Sequence, residues 1–335
     1  MSLRRCTVLL CTLLISSSAM AQFDEPATQI GTKKRAQLGD DWRGSQLFYR
    51  NEISLPTLDR SYDQTYNPYW GNMLYFRARY ALSEMFYVQA KFWLAWENTN
   101  SDVTTSEREV WPSNLTLTAG ADNFYRIPLA KIDLSANFEM ILPTSPTAQA
   151  RTMVLGLKGG LSLARTFTSV AKGLTIGYDL DLTKYLNRYS TAQRESPLIP
   201  GCAGTLDGCD QFLNSGVRNS SVSLDNSLSA QLRITKWLSA YTAFTARVDF
   251  LYGAAALSSG SPQPLEDQNQ RFWLLGDIGL KADVYKPLFL RLGAATVHQF
   301  QAPDGSLRAP IFDRNTVFYL DVGVNVADLV SKLGG

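Results

Sequence analysis

The sequence predicts an all-β chain of twelve antiparallel strands joined up-and-down, each lying beside its neighbours in sequence. Three observations lead there. Apolar and polar residues alternate with period two along most of the chain. After residue 22 no apolar run reaches the roughly 20 residues that a membrane-spanning helix needs. The connections between the alternating segments are short and long by turns. Composition narrows the rest. With 335 residues, 45% hydrophobic and 19% charged, and 32 Lys+Arg against 30 Asp+Glu, the chain is neither a disordered tail nor a basic nucleic-acid binder. Four cysteines exclude a disulfide-dense scaffold. A single histidine, His298, leaves little for a histidine-based metal site or a Ser-His-Asp triad, so no metal and no cofactor are expected.

The first segment is an address. Arg4 and Arg5 precede the apolar run 8–15, and small residues lead to Ala19-Met20-Ala21, the three regions of a secretory signal peptide over 1–21. The mature chain is expected to begin at Gln22, with no cysteine after the cleavage site to accept a lipid. Cleavage removes two basic residues and no acidic ones, leaving 30 of each and a formal net charge of zero, so bulk charge names no partner. Residues 22–44 carry Lys33-Lys34-Arg35 and Asp40-Asp41 ahead of the first strand.

The strands are then expected near 45–57, 71–83, 85–97, 113–122, 130–142, 151–165, 172–185, 219–235, 238–252, 270–284, 287–300 and 313–326. The third shows the rule: Phe86, Val88, Ala90, Phe92, Leu94 and Trp96 share one face, with Gln89, Lys91 and Glu97 opposite. The fifth sets Ile132, Leu134, Ala136, Phe138, Met140 and Leu142 against Lys131, Asp133, Ser135, Asn137 and Glu139. In the eighth, only Asn226 interrupts the apolar row that includes Val222, Leu224 and Leu228. Gly159-Gly160 lies inside a strand with no helix after it, so a bend or bulge is expected rather than a phosphate cradle. Connections around Glu84, Tyr125, Ser169, Lys236 and Lys286 are short; 58–70, 98–112, 143–150, 186–218, 253–269 and 301–312 are mostly long and rich in Pro, Ser, Asn and Gly. Successive connections of an up-and-down sheet lie at opposite ends, so all the short turns sort to one end. Cys202 and Cys209 remain after cleavage, seven residues apart in a Gly-rich loop, and in an oxidising compartment they are expected to pair; zinc would need further ligands, and none are near.

Short turns at one end, longer loops at the other, an even strand count and both termini on the short-turn side resemble bacterial outer-membrane β-barrels, whose short turns face the periplasm. The resemblance covers 45–326 and rests on architecture, not on a motif. It implies a transmembrane antiparallel up-and-down β-barrel in the bacterial outer membrane, with outer-membrane lipid and the assembly machinery as partners. Residues 22–44 become a periplasmic segment or, alternatively, a plug. Physics agrees: in lipid every backbone N–H and C=O needs an internal partner, and a closed barrel supplies one while leaving no edge. A soluble all-β sandwich or barrel also alternates, with its apolar face inward. Against it, the expected strands meet or exceed the roughly 9–11 residues that cross a bilayer, where globular strands peak at about 5–6. Phe86, Trp96, Trp237, Tyr252, Phe272, Tyr285 and Phe300 also fall near strand ends, where an interfacial girdle wants them. One feature departs from the pattern. Many such barrels end on an aromatic assembly signal, whereas this chain continues through a tail at 327–335, with Phe318 and Tyr319 inside the last strand.

If the apolar row meets lipid, the polar row lines the lumen. Arg50, Arg77, Arg79 and Lys91 fall mid-strand on strands one to three, and Asp179, Asp181 and Asp225 on seven and eight. Strands two and eight of a twelve-strand ring are opposed, so the expectation is a basic wall facing an acidic wall and a transverse field that orients polar or zwitterionic solutes. The alternative is that these charges pair within the wall and fill the interior. A passive channel or transporter for small polar solutes is therefore expected, or else a structural or surface-interaction barrel with an occluded lumen. An enzyme is not expected. Outer-membrane phospholipases pair His with Ser two residues later, whereas position 300 is Phe300, and His298 reads as an outward residue at the girdle. Asp179 with Asp181 reads as lumen charge rather than an acid–base pair.

Overall fold

The computed structural model describes residues 40–59, 61, 68–99, 108–192, 217–253, 269–301 and 306–333. Residues 1–39, which include the expected export segment, and the cysteines at 202 and 209 lie outside the described residues.

Twelve long strands form: β1 Gln46–Ser54, β2 Trp70–Ala81, β3 Phe86–Glu97, β4 Leu115–Ile127, β5 Ile132–Leu142, β6 Met153–Phe167, β7 Leu174–Asn187, β8 Ser220–Arg233, β9 Leu238–Leu251, β10 Gln270–Tyr285, β11 Leu288–Gln299 and β12 Thr316–Asn325. A two-residue strand, Trp111–Pro112, adds to β3 beside the start of β4. Each long strand pairs antiparallel with its sequence neighbour, and β12 pairs with β1, which closes the sheet into a barrel. Closure leaves no unpaired edge, the condition for crossing hydrocarbon with strands. Most boundaries lie within a few residues of those expected. The largest difference is β4, which continues to Ile127 through a bulge between Ala121 and Tyr125, where Asn123 takes a positive φ of 47°.

Side-chain burial follows the predicted parity. Phe86, Leu161, Leu182, Leu228, Leu292 and Leu320 project outward and exposed. The facing row turns inward, where Arg50, Asp225 and Asp321 are buried. The barrel is therefore inside-out relative to a soluble sheet protein, with its apolar surface outermost. One apolar cluster does sit inside: Phe48, Met73, Tyr75, Trp93 and Phe289, from β1, β2, β3 and β11.

Among the described residues, three short α-helices decorate the ends: α1 Leu55–Leu58, α2 Pro146–Ala150 and α3 Val326–Leu333. α2 starts at Ser145, whose side chain accepts from the Ala148 N–H at 3.1 Å, with Pro146 in the first turn. α3 takes up most of the expected tail. Asp328 in its first turn and Lys332 in its last match the helix dipole, and Lys332 Nζ donates to the Tyr285 hydroxyl at 2.7 Å.

A glycine pair shows how side chains fill the interior. Gly279 on β10 faces Gly293 on β11, and the tyrosine rings at 241 and 319 lie against them. Tyr319 Oη donates to Asp277 Oδ1 at 2.6 Å, so its lone pair must accept the Tyr241 hydroxyl at 2.5 Å. A Cβ at 293 would stand 2.5 Å from Tyr319 Oη and 2.7 Å from the Ile278 carbonyl oxygen. Gly293→Val is expected to displace Tyr319 and to cost about 1–3 kcal/mol, read as a lower midpoint in denaturant titrations of the detergent-solubilised barrel.

Candidate functional site: the lumen

Strand parity delivers charged groups to the lumen, and their pairing decides its shape. On one side the interior is filled. Asp321 on β12 receives Arg50 Nε at 2.7 Å and Nη2 at 2.9 Å from β1, and Arg291 Nε stands 3.0 Å away on β11. The two guanidiniums stack on rings, Arg50 over Tyr319 at 3.9 Å and Arg291 over Phe48 at 4.5 Å. Phe48 in turn stacks on Tyr75, centroids 4.5 Å apart. Cation–π contact adds to the support that Asp321 gives the two guanidiniums. On the other side, the central and short-turn stretches of β4 to β8 turn small residues inward, among them Gly120, Gly160, Ser162, Gly177 and Ser229.

Above this packing, towards the long-loop end, is a cavity of about 240 Å³. Its charged belt alternates around the ring. Lys91 and Lys158 share Glu139 at 3.4 and 3.3 Å, and Lys158 also reaches Asp181 at 3.8 Å. Arg247 holds Asp225 through two bonds of 2.7 and 3.0 Å. Asp249 accepts from the Trp273 indole N–H at 3.0 Å and from the Ser223 hydroxyl. The roof comes from the loop between β5 and β6: Ser145, Thr147, Ala148 and Arg151, from and around α2, line the cavity. Burial and the like charge of Arg271 push the Arg151 guanidinium below its ordinary pKa.

All seven charged residues singled out from the sequence lie on the lumen-facing row, yet they do not sort into opposed walls. Arg79 falls in the short-turn third of β2, and Arg77 at the edge of its middle third. Arg77 Nε donates to the Gly44 carbonyl at 2.9 Å, and Arg79 pairs with Asp122 while its guanidinium lies 3.6 Å over the Tyr87 ring. Arg50 is neutralised by Asp321 and Lys91 by Glu139, and among the acids Asp225 is taken by Arg247 and Asp181 lies beside Lys158. Asp179 faces the lumen two residues before Asp181. Partners on nearby strands win because an uncompensated charge in a narrow interior costs more than a long-range field returns. Sequence reasoning missed the cavity roof and the roles of Arg151, Lys158 and Arg271; no local pattern marks them, since they meet only after closure.

His298 corrects a second expectation. It keeps the outward parity, opposite Leu274, but it is buried rather than interfacial. The chain at 308–313 folds back over the outer wall, placing the Ala309 carbonyl 2.9 Å from Nε2, while Nδ1 lies 2.8 Å from the Gln299 carbonyl. Thr296 donates to Asp313 at 3.1 Å under the same cover. Gly276 makes the room, because a Cβ there would sit 2.6 Å from the Pro310 carbonyl oxygen. Polar groups on an outward row need partners that lipid cannot give, and this segment supplies them.

A closed twelve-strand barrel with an apolar exterior, a charged lumen, and short turns and both strand termini at one end has the fold of the outer-membrane β-barrels. A solved structure agrees in fold. The COG4313 outer membrane channel from Pseudomonas putida F1 is similar in fold at 12% identity, with 87% of this chain and 99% of that one covered and a TM-score of 0.50. The KdgM porin in complex with disordered oligogalacturonate shares 8% identity over 83% of this chain and 98% of its own, with a TM-score of 0.41. No protein-family model and no curated protein matches the chain. Likeness at these identities speaks to fold alone.

Proposed function

We propose that this protein is exported by cleavage after Ala21 and acts in the bacterial outer membrane as a passive channel or transporter for small polar solutes, without cofactor or catalysis. The observation that carries the reading is the cavity within a charged lumen, continuous in chain terms with the small-residue wall of β4 to β8. Planar-bilayer recording tests it: purified protein should give stepwise ion currents. A correctly folded but silent barrel would favour the second reading, a structural or surface-interaction barrel, which the Arg50–Asp321–Arg291 packing supports by filling one side of the lumen.

In this reading Arg50, Arg77, Arg79, Lys91, Asp179, Asp181 and Asp225 shape the lumen as an alternating belt. Glu139 is balanced by two lysines. Lys158→Met removes one of them and is expected to shift the reversal potential towards cation selectivity; an unchanged reversal potential would place this belt off the conduction path. His298 has no nucleophilic role here, since both ring nitrogens face main-chain carbonyls.

A further inference from the structure

We propose that His298 works as a proton-operated latch on the outside of the barrel: with its ring charged it pins the segment 308–313 to the wall, and on giving up a proton it lets that segment go. The latch concerns the outer face alone and does not rest on the channel reading.

The number of donors comes first. His298 lies on the outward row of β11, beneath that segment, and is 1% exposed. Nδ1 stands 2.8 Å from the Gln299 carbonyl oxygen, and Nε2 stands 2.9 Å from the Ala309 carbonyl oxygen. A carbonyl accepts and never donates, so each nitrogen needs its own proton to bond there. Neutral imidazole carries one N–H, and only the imidazolium carries two. The arrangement fits the charged ring. A neutral ring turns one lone pair towards a carbonyl in a buried site, which loses a hydrogen bond and adds repulsion.

Which contact gives way depends on what holds each carbonyl. Gln299 follows His298 in β11 and is fixed in the ladder opposite Trp273. Ala309 belongs to irregular chain, tied to the wall by the Arg308 N–H donating to the Phe300 carbonyl at 3.1 Å and by Thr296 donating to Asp313 at 3.1 Å. The neutral ring keeps its N–H on the fixed carbonyl, and the bond to Ala309 is the one lost.

Charge acts in the same direction. Asp313 Oδ2 stands 4.0 Å from Nε2. The Asp313 carboxylate is set in place by Thr296, by the Asn315 N–H at 2.8 Å and by Asn315 Nδ2 at 2.8 Å, with Arg308 Nη1 at 3.5 Å. Arg308 shares this carboxylate and so moderates its pull on the ring. Beside the ring, β10 brings Leu274 and Gly276 and β12 brings Thr316, none of which ionises. Among the described residues, the charged groups of the covering chain are Asp313, Arg308 and, next after Asp313, Arg314. Loss of the ring proton removes a hydrogen bond and an ionic attraction together, and both hold the same segment. Release uncovers Thr296, which is buried under it.

His298 is the one histidine in the sequence, so nitrogen-15-labelled histidine in the full-length, detergent-solubilised barrel reports on this ring alone. Magnetic resonance reads its charge from about pH 5 to about pH 8. Hydrogen–deuterium exchange of the peptide covering 308–313 follows the segment over the same range, with rates corrected for the chemical effect of pH. The ring should hold both protons at the acid end and lose one across the range. Protection of the segment should fall about tenfold as it does, while β4 and β5 keep theirs. In His298→Gln, protection should no longer vary with pH, because an amide does not titrate. In Asp313→Asn, the ring should give up its proton at lower pH, because the carboxylate favours the charged form. A neutral ring at the acid end, protection that stays level while the ring titrates, or a His298→Gln variant with the wild-type pH dependence overturns the latch. The first two outcomes are read on the wild-type chain, so a variant that does not fold leaves the test intact. An Asp313→Asn variant that titrates as wild type overturns the part given to Asp313. None of these measurements involves ion current, so the latch and the channel reading stand or fall separately.

Discussion

Replacing Asp321 by alanine is expected to destabilise the folded barrel by about 3–5 kcal/mol, the typical cost of stripping one partner from a buried ion pair. Its carboxylate is fully buried between Arg50 and Arg291, themselves almost inaccessible. Without it, two guanidiniums that lie over the Phe48 and Tyr319 rings face each other across β12 with the carboxylate between them gone. Denaturant titration of the barrel in detergent, followed by tryptophan fluorescence, measures the loss. Exchanging Arg50, Asp321 and Arg291 together for apolar residues of similar volume should recover most of it, because the desolvation cost of all three disappears at once. A single-variant loss under about 1 kcal/mol would mean that water reaches the triad, since exposed pairs contribute only that much.

The second large effect separates the two faces of a single strand. Leu161 and Ser162 are neighbours near the middle of β6; Leu161 is exposed on the outside, while Ser162 looks inward opposite Asp179. Leu161→Arg should cost about 2–4 kcal/mol in a phospholipid bilayer, the depth-dependent penalty for a cation on the lipid face at the midplane. Ser162→Arg should change stability by only about 0.5 kcal/mol, because its side chain enters a hydrated lumen beside a carboxylate. Stability measured by urea titration in lipid vesicles compares them. The opposite order would mean that the apolar row seals a dry interior and the charged row faces water outside.

Much of this architecture was legible in one sequence because a strand's side chains alternate with a period of two. Once Phe86, Val88 and Leu94 were seen to share a row, Lys91 had to point the other way, whatever the rest of the chain did. The same reasoning placed Arg50, Asp181 and Asp225 on the lumen face and put the short turns together at one end. It failed where strand tilt and shear act. Arg77 and Arg79 were expected to form one basic wall, yet their partners are Gly44, just before β1, and Asp122, on β4. It failed again at His298, whose parity was right but whose cover comes from 308–313, a stretch with no periodic pattern to read. The tail after residue 326 folds as α3, a helix too short for its pattern to stand out from an unstructured end.

By itself, then, the sequence determined which side of the sheet is apolar, how many strands there are, in what order they run, and which charges share the interior. These follow from local alternation and from the need to satisfy every backbone group in hydrocarbon. Only the closed tertiary structure decided which charge meets which: Arg50 with Asp321, 271 residues apart, Glu139 between Lys91 and Lys158, and Arg151 beside Arg271 under the roof of α2. Those pairings depend on closure, register and loop placement, which bring distant positions within a few ångströms of each other. No short-range pattern encodes such distances, because the sign and strength of a Coulomb contact are set by the space between groups and not by their separation along the chain.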